Sequence, residues 1–483
     1  MNSILKLKVI QAVYDLTKPY QKFREIEVTG SGFVIDSSIV LTTFNLVENS
    51  LNITGRCRKS GNKDISLELI GYCREKNLAL CKIQSDFLKT EALKLSDSLE
   101  VNTGDKIYSL EPYNAGFVSG FNYEQIYLED SLSRSPVYME ATYPSIIGNP
   151  VFNSKNEVIG ISEGSKLKTQ IIPSRTILAV YGEMINSFAV KMPTFSLDWS
   201  CTNREIMKKQ TGTSSTYGIY VRKISPDSCL DRLEKRDVIR RIDYIDPFTK
   251  SFSISQCGKF EEGTLVTVFL DRFGMSTTIG QLKNPDEIDE NKLEFVSKYT
   301  DRKLHLSEIV DSIPIGTELT LNMCRDRNWY KLKTPYVHRA SERLDYLCPK
   351  FFPFEYHIFS GLCLTNLYSN LYDNHSLYKN DKNNDKYKNQ VVIAKIFEGS
   401  YAYKTQSLME GQIIKSIYGY DSNFELIKET HKVISSLDDV KSILKIKPDY
   451  VQITTTEDYT FINSLTDALK EDTEIKDNFE LSF

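Results

Sequence analysis

Residues 38–49 read SIVLTTFNLVEN, and GSGFVI at 30–35 stands just before them. Both runs have the length of a strand, and Val, Ile, Thr and Phe carry them. The texture continues outward through LALCKI (78–83), PVF (150–152) and EVIGIS (157–162), each bounded by Gly, Asn, Ser or Asp. Many short strands at close spacing predict an all-β barrel or sandwich up to about residue 185. SRTILAVYGEMINSF (174–188) predicts a helix that closes it.

The pattern then changes twice. A block from Met192 to Leu282 contains GIYVRKI (218–224), LEKRDVIRRID (233–243) and TLVTVFL (264–270), and a charged stretch (284–303) follows it. From His305 a third block repeats that order loosely, with IFSGLCLTNL (358–367), VVIAKIF (391–397) and MEGQIIKSIYGY (409–420). Its insert at 379–389 holds only Lys, Asn, Asp and Tyr, a composition that buries no apolar area. SLDDVKSILKI (436–446) predicts a helix, with Ser436 and Asp439 at capping-box spacing and Val440, Ile443 and Leu444 on one stripe. A chain of 483 residues accommodates these blocks as roughly three domains at about 150 residues each.

Bulk composition excludes several classes. A net charge of −4 leaves no general basic surface for nucleic acid. No apolar run approaches the roughly 20 residues of a membrane helix, and MNSILKLKVIQAVYD alternates where a secretory signal would be continuously apolar. Nine cysteines without a C-x-x-C pair suggest reduced, partly buried thiols in the nucleus or cytoplasm and offer no metal site. No cofactor is expected.

GSGFVI, SIVLTTFNLVEN, EKNLALCKI (75–83) and YPSIIGNPVFNSKNEVIGIS (143–162) together resemble the trypsin-like domain of the HtrA/Deg proteases, in the same order and similar spacing. KMPTFSLDW (191–199), residues 218–243 and FEYHIFSGLCL (354–364) extend the resemblance to the protease, PDZ, PDZ layout of the nuclear plant and fungal branch. It implies a mainly β chain: a trypsin-like double β-barrel at 1–188, then two PDZ-like α+β domains. The first would occupy 189–285. A charged connection (286–304) would lead to the second at 305–483, with its low-complexity insert near 371–390. It also implies a homo-oligomer, a trimer or a multiple of one, built through the protease domain.

Serine-protease chemistry needs a hydroxyl nucleophile, an imidazole base and a carboxylate that orients it. The family's histidine phrase, L-T-N-A-H-V-V, is LTTFNLV here, which puts Asn45 at the base. Its aspartate precedes L-A-L-L-K; here Asn77 precedes LALCKI. Aligned on the proline of G-N-S-G-G-P, the nucleophile position holds Ile147. One point needs no alignment: all five histidines lie at or beyond His305, so an imidazole-based triad within the barrel is impossible. Loss of a whole triad costs about 10⁶ in turnover, roughly 8 kcal/mol of transition-state stabilisation.

PDZ domains add a peptide strand to a sheet edge and capture its C-terminal carboxylate on the amides of a Φ-G-Φ loop. The resemblance places that loop at Ser360, Gly361 and Leu362 in the third block. The strand from Leu362 would be the offered edge, and Val440 and Leu444 would form the facing wall. In the second block it places the loop at Phe195, Ser196 and Leu197, where serine replaces the glycine. The expected partners are protein or peptide C-termini. Three functions compete: an inactive pseudoprotease acting as scaffold or chaperone-like assembly, an ATP-independent endopeptidase with unconventional residues, and a structural subunit of a larger complex.

Overall fold

The computed structural model describes residues 3–478 apart from 37, 62, 85–90, 111–112, 123–136, 165–167, 201–203, 213–216, 247–262, 285–293, 299, 301, 340–343, 375–387 and 389. Most of the Lys/Asn/Asp insert therefore lies outside the described residues.

The first strands are β1 (Ile4–Val13), β2 (Arg24–Asp36), β3 (Ile39–Thr42), β4 (Ser50–Arg56), β5 (Ile65–Cys73) and β6 (Leu78–Ile83). They run in the order β5-β4-β1-β2-β3-β6, and β6 pairs back to β5, which closes a barrel. Alternation drives it: in β1, Leu5, Leu7 and Val9 are buried while Lys6 and Lys8 face water. SIVLTTFNLVEN supplies β3 and, after Thr43, a single turn of helix α1 (Phe44–Val47).

A second closed barrel comprises β7 (Lys106–Ser109), β8 (Asn114–Asn122), β9 (Tyr138–Ala141), β10 (Pro150–Asn153), β11 (Val158–Ser162) and β12 (Thr169–Pro173). Val118, Met139, Val151, Ile159 and Ile171 share one of its apolar clusters. Helix α2 (Ser174–Asn186) follows as expected. Its Ile177, Leu178, Tyr181 and Met184 pack with Phe33, Leu78 and Leu80 of the first barrel and Ile161 and Ile172 of the second, so one core joins both barrels. A short strand, β13 (Ala189–Val190), then adds to β5 in parallel.

The next sheet runs β14 (Leu197–Ser200), β15 (Ile219–Ile224), β16 (Val238–Asp246), β17 (Thr264–Leu270), β18 (Ser276–Leu282) and β19 (Phe295–Lys298). Helix α3 (Arg204–Thr211) lies between β14 and β15 in the chain. The sheet continues well past residue 285, where the sequence reading ended this domain. After helix α4 (Leu306–Ser312) comes a hairpin of β20 (Glu318–Arg325) and β21 (Asn328–Pro335), and β20 pairs with β16. ELTLNMCR and NWYKLKTP alternate, and Asp326 and Arg327 take the positive φ (48° and 67°) of a tight turn between them. Strand β19 likewise falls inside the stretch expected to be a charged connection; it pairs with β18.

By compactness the chain forms two units: residues 1–11 with 27–340, and residues 12–26 with 341–483. The second unit carries β22 (Tyr356–Phe359), β23 (Leu362–Asn366), β24 (Val391–Ile396), β25 (Ile413–Tyr420), β26 (Lys432–Val433), β27 (Tyr450–Thr455) and β28 (Thr460–Ser464). Its helices are α5 (Ser369–Asn374), α6 (Tyr401–Thr405), α7 (Leu437–Lys445) and α8 (Leu465–Asn478). The sheet order is β22-β23-β24-β25-β27-β28, with β26 beside β25. Helix α7 begins as expected, Ser436 Oγ accepting from Asp439 N at 3.3 Å. The second carboxylate bond departs from the capping box, because Asp439 accepts from Ser435 rather than Ser436.

Candidate functional site

Asn45, Asn77 and Ile147 converge at the junction of the two barrels. Asn77 ends a 3₁₀ turn in the left-handed region (φ 49°, ψ 43°), which asparagine tolerates, and this aims its side chain at α1. Its Oδ1 accepts from Asn45 N at 2.8 Å and its carbonyl accepts from Phe44 N at 3.1 Å. The Asn45 side chain is exposed. Ile147 is half-buried and lies over Gly30: a Cβ on Gly30 would come within 2.9 Å of Ile147 Cγ2 and 2.6 Å of Leu46 Cδ2. Gly148 must remain glycine, since at φ 80° its Cβ would stand 1.8 Å from the Ser31 carbonyl oxygen.

The sequence reading missed two polar members of this site. Asn77 Nδ2 donates to Glu163 Oε1 at 2.7 Å, and Tyr138 OH donates to the same oxygen at 3.0 Å. Burial pushes the Glu163 carboxyl up, against the pull of those two donors. Two amides, a carboxylate, a phenol and a butyl side chain provide hydrogen bonding but no activated nucleophile. The Ser145 hydroxyl is buried and has no hydrogen-bond partner among the described residues. The first histidine of the chain, His305, is the N-cap of α4, where Nδ1 accepts from Ser307 N. An open hollow of about 510 Å³ bounded by Ile4, Leu93, Tyr108, Tyr113 and Phe152 involves none of the triad positions.

In the sheet that follows, Phe195, Ser196 and Leu197 are all buried, and Ser196 sits at φ 36°. The Ser196 amide is already used, donating to Thr194 Oγ1 at 3.1 Å. Strand β14 nevertheless stands last in its sheet order. Beside it, the Trp199 ring lies 6.1 Å from that of His305 at the start of α4. Leu306, Ile309 and Ile313 pack in one cluster with Leu197. Helix α4 is thus the wall facing β14, and the sequence reading had assigned it to the other domain. Its HLSEIVDSI is too short to announce a partner strand more than a hundred residues upstream.

The C-terminal loop differs from expectation. Strand β23 is not a free edge: β24 pairs one side and β22 the other, with Phe359↔Leu362 and Tyr356↔Thr365 in register. Ser360 and Gly361 are the two residues of the connecting hairpin turn (φ 52° and 73°). Their amides converge on a carboxylate, but it belongs to Asp472 of α8: Ser360 N reaches Oδ2 at 3.0 Å and Gly361 N reaches Oδ1 at 2.9 Å. Leu362 and Val440 are core residues with no exposure, and Leu444 is half-buried against the same cluster.

Among the described residues no three His, Cys, Asp or Glu side chains cluster as metal ligands, and no helix is long and apolar enough to cross a membrane. The seven described cysteines are buried.

No curated protein matches the chain. Among solved structures it is similar to "HtrA-type protease AlgW with decapeptide" at 16% identity and TM-score 0.40, over 70% of this chain and 96% of that one. It is also similar to "HtrA-type protease AlgW with tripeptide" at 16% identity and TM-score 0.42, over 70% and 94%. Residues 30–161 match the family described as trypsin-like peptidase domain. Two closed six-stranded barrels carry those residues. The match marks a trypsin-like peptidase domain within residues 30–161.

Proposed function

We propose that the protein is a non-hydrolytic relative of the HtrA/Deg proteases that holds extended protein segments without cutting them. The observation that carries this reading is the composition of the site: Asn45 and Asn77 are neutral amides, Ile147 packs on Gly30, and no histidine exists before His305. An amide takes no proton near neutral pH, and a butyl group attacks nothing. For binding, support comes from β14, a sheet edge faced by α4, the arrangement in which PDZ-type modules accept a peptide strand.

The test uses full-length protein with fluorescein-labelled unfolded casein. Anisotropy should rise on mixing while no acid-soluble fragments form over a day. Fragments whose formation a fluorophosphonate blocks would establish a working serine endopeptidase instead. No rise in anisotropy would remove the holding role and leave a structural subunit.

A further inference from the structure

The peptide-binding expectation for the C-terminal module placed a carboxylate-capturing loop at Ser360–Gly361, but the structure fills it from within. The turn and the helix that supplies its carboxylate are 111 residues apart in sequence. Asp472 is only 2% exposed and binds bidentately, one oxygen to each amide. Among the described residues no ion pair neutralises it; Lys476, one turn further along α8, contributes only through its field. The turn is braced as a receptor would be. Asn463 Nδ2 donates to Ser360 Oγ at 2.6 Å. Ser400 closes over Gly361, so that a Cβ there would come within 2.2 Å of Ser400 Cβ. A second acidic residue ties the same helix down, Glu471 Oε1 accepting from Tyr401 N at 2.6 Å.

The neighbouring groups copy the rest of a bound chain terminus. Strand β22 runs antiparallel to β23 and ends at the turn. Lys441 of α7 reaches Glu355 just before β22 at 3.7 Å, so that helix flanks the strand. Phe359, its last residue, is buried in one cluster with Val440 and Ile443 of α7 and Leu465 and Ala468 of α8. A strand, an apolar side chain and a carboxylate meeting two convergent amides are the three parts of a C-terminal peptide complex. Here β22 and α8 of the same unit provide them.

We propose that α8 is a built-in occupant of a carboxylate receptor at Ser360–Gly361, and that an external free carboxylate enters this site only in exchange for Asp472. The proposal builds on the PDZ-like reading of this module. It narrows the ligand: β22 already holds the edge of β23, so the site takes a terminal carboxylate and not a strand-length peptide. Burial supports a poised contact, pushing the Asp472 carboxyl up to about 6 against the pull of the two amides.

The test is hydrogen exchange on the full chain at pH 7.5, followed in segments spanning 358–363 and 465–478, with acetate as probe and acetamide as its neutral match. In the unaltered protein neither additive should change exchange. In Asp472→Ala the turn amides should exchange at least about tenfold faster. Acetate, and not acetamide, should restore their protection while leaving α8 loosened. Asp472→Asn keeps the shape and one acceptor, and decides the matter if the alanine variant unfolds. There acetate should re-protect the turn while α8 exchanges faster. Equal effects of acetate and acetamide on residues 358–363, in whichever of these variants is folded, overturn the proposal. The casein assay reads a different site, so either result can fail without the other.

Discussion

At the scale of single residues, Asn77 links the Asn45 backbone to Glu163 in a hydrogen-bond chain, and Glu163 makes an aspartate at position 77 unfavourable. The Asn77 amide is held between Asn45 N and the Glu163 carboxylate. Asn77→Asp would replace a donor to Glu163 with a second carboxylate. Burial already raises Glu163, and a like charge raises it further. The folded state would then hold a proton that the unfolded state has released, so stability falls as pH rises from about 4 to 7. The expected loss is about 1–3 kcal/mol at pH 7, shrinking towards zero near pH 4, read from urea unfolding at both values. A loss independent of pH would place its cause elsewhere. Ile147→Ser, with neither base nor orienting carboxylate, should give no detectable casein turnover. Asn45, Asn77 and Ile147 were legible from sequence because each sits in a short phrase with a fixed neighbour. Glu163 was not, because 86 residues separate it from Asn77 and only barrel closure brings them together.

At the scale of elements, short apolar runs made strands such as β3, β6, β11 and β17 visible and the longer run at 174–188 made α2 visible, whereas pairings across long gaps stayed hidden. Nothing in FEYHIFSGLCL shows that its first half folds back on its second, although a two-residue turn with Gly second favours that hairpin. Nor does α8 advertise its target, since Asp472 reads as one acidic residue among several on a polar helix. Its docking makes a signed prediction. In the docked helix the Asp472 carboxyl titrates at about 6, raised by burial; freed into water it returns towards about 3.9. Glu471 pushes the same way and Lys476 the opposite way, while the facing Ser360 and Gly361 amides pull it down. The docked state therefore binds a proton that the freed helix has lost, so acid favours docking. Lowering pH from 7 to about 5 should slow α8 amide exchange, after correction for intrinsic rates, by an amount worth about 1 kcal/mol. Faster exchange in acid would mean that attraction of charge to the turn, and not burial, sets the balance.

At the scale of the whole chain, sequence reading separated the barrel from the following sheet, but they form one compact unit. Arg175, at the start of α2, explains much of this: it pairs with the partly buried Asp97 between the barrels and with Asp246 at the end of β16, and Arg175 and Asp246 are shielded from water. Lys76 similarly meets Asp311 of α4 at 2.7 Å. Arg175→Met removes the cation from the buried Asp246 carboxylate and should cost about 3–5 kcal/mol in urea unfolding of the full chain. A cost below about 1 kcal/mol would show that apolar packing alone holds barrel and sheet together. The excursion between β1 and β2 has a different consequence. Residues 12–26 belong with residues 341–483, where Leu16 packs with Leu344, Leu367 and Leu371, and Tyr20 lies 5.0 Å from Phe397. A ribosome releases that segment long before its partners. At about 5–20 residues per second, roughly 15 s to 1 min of elongation separates them. Through that interval a tyrosine- and leucine-bearing loop hangs from a barrel already able to close, exposed to whatever apolar surface or chaperone reaches it first.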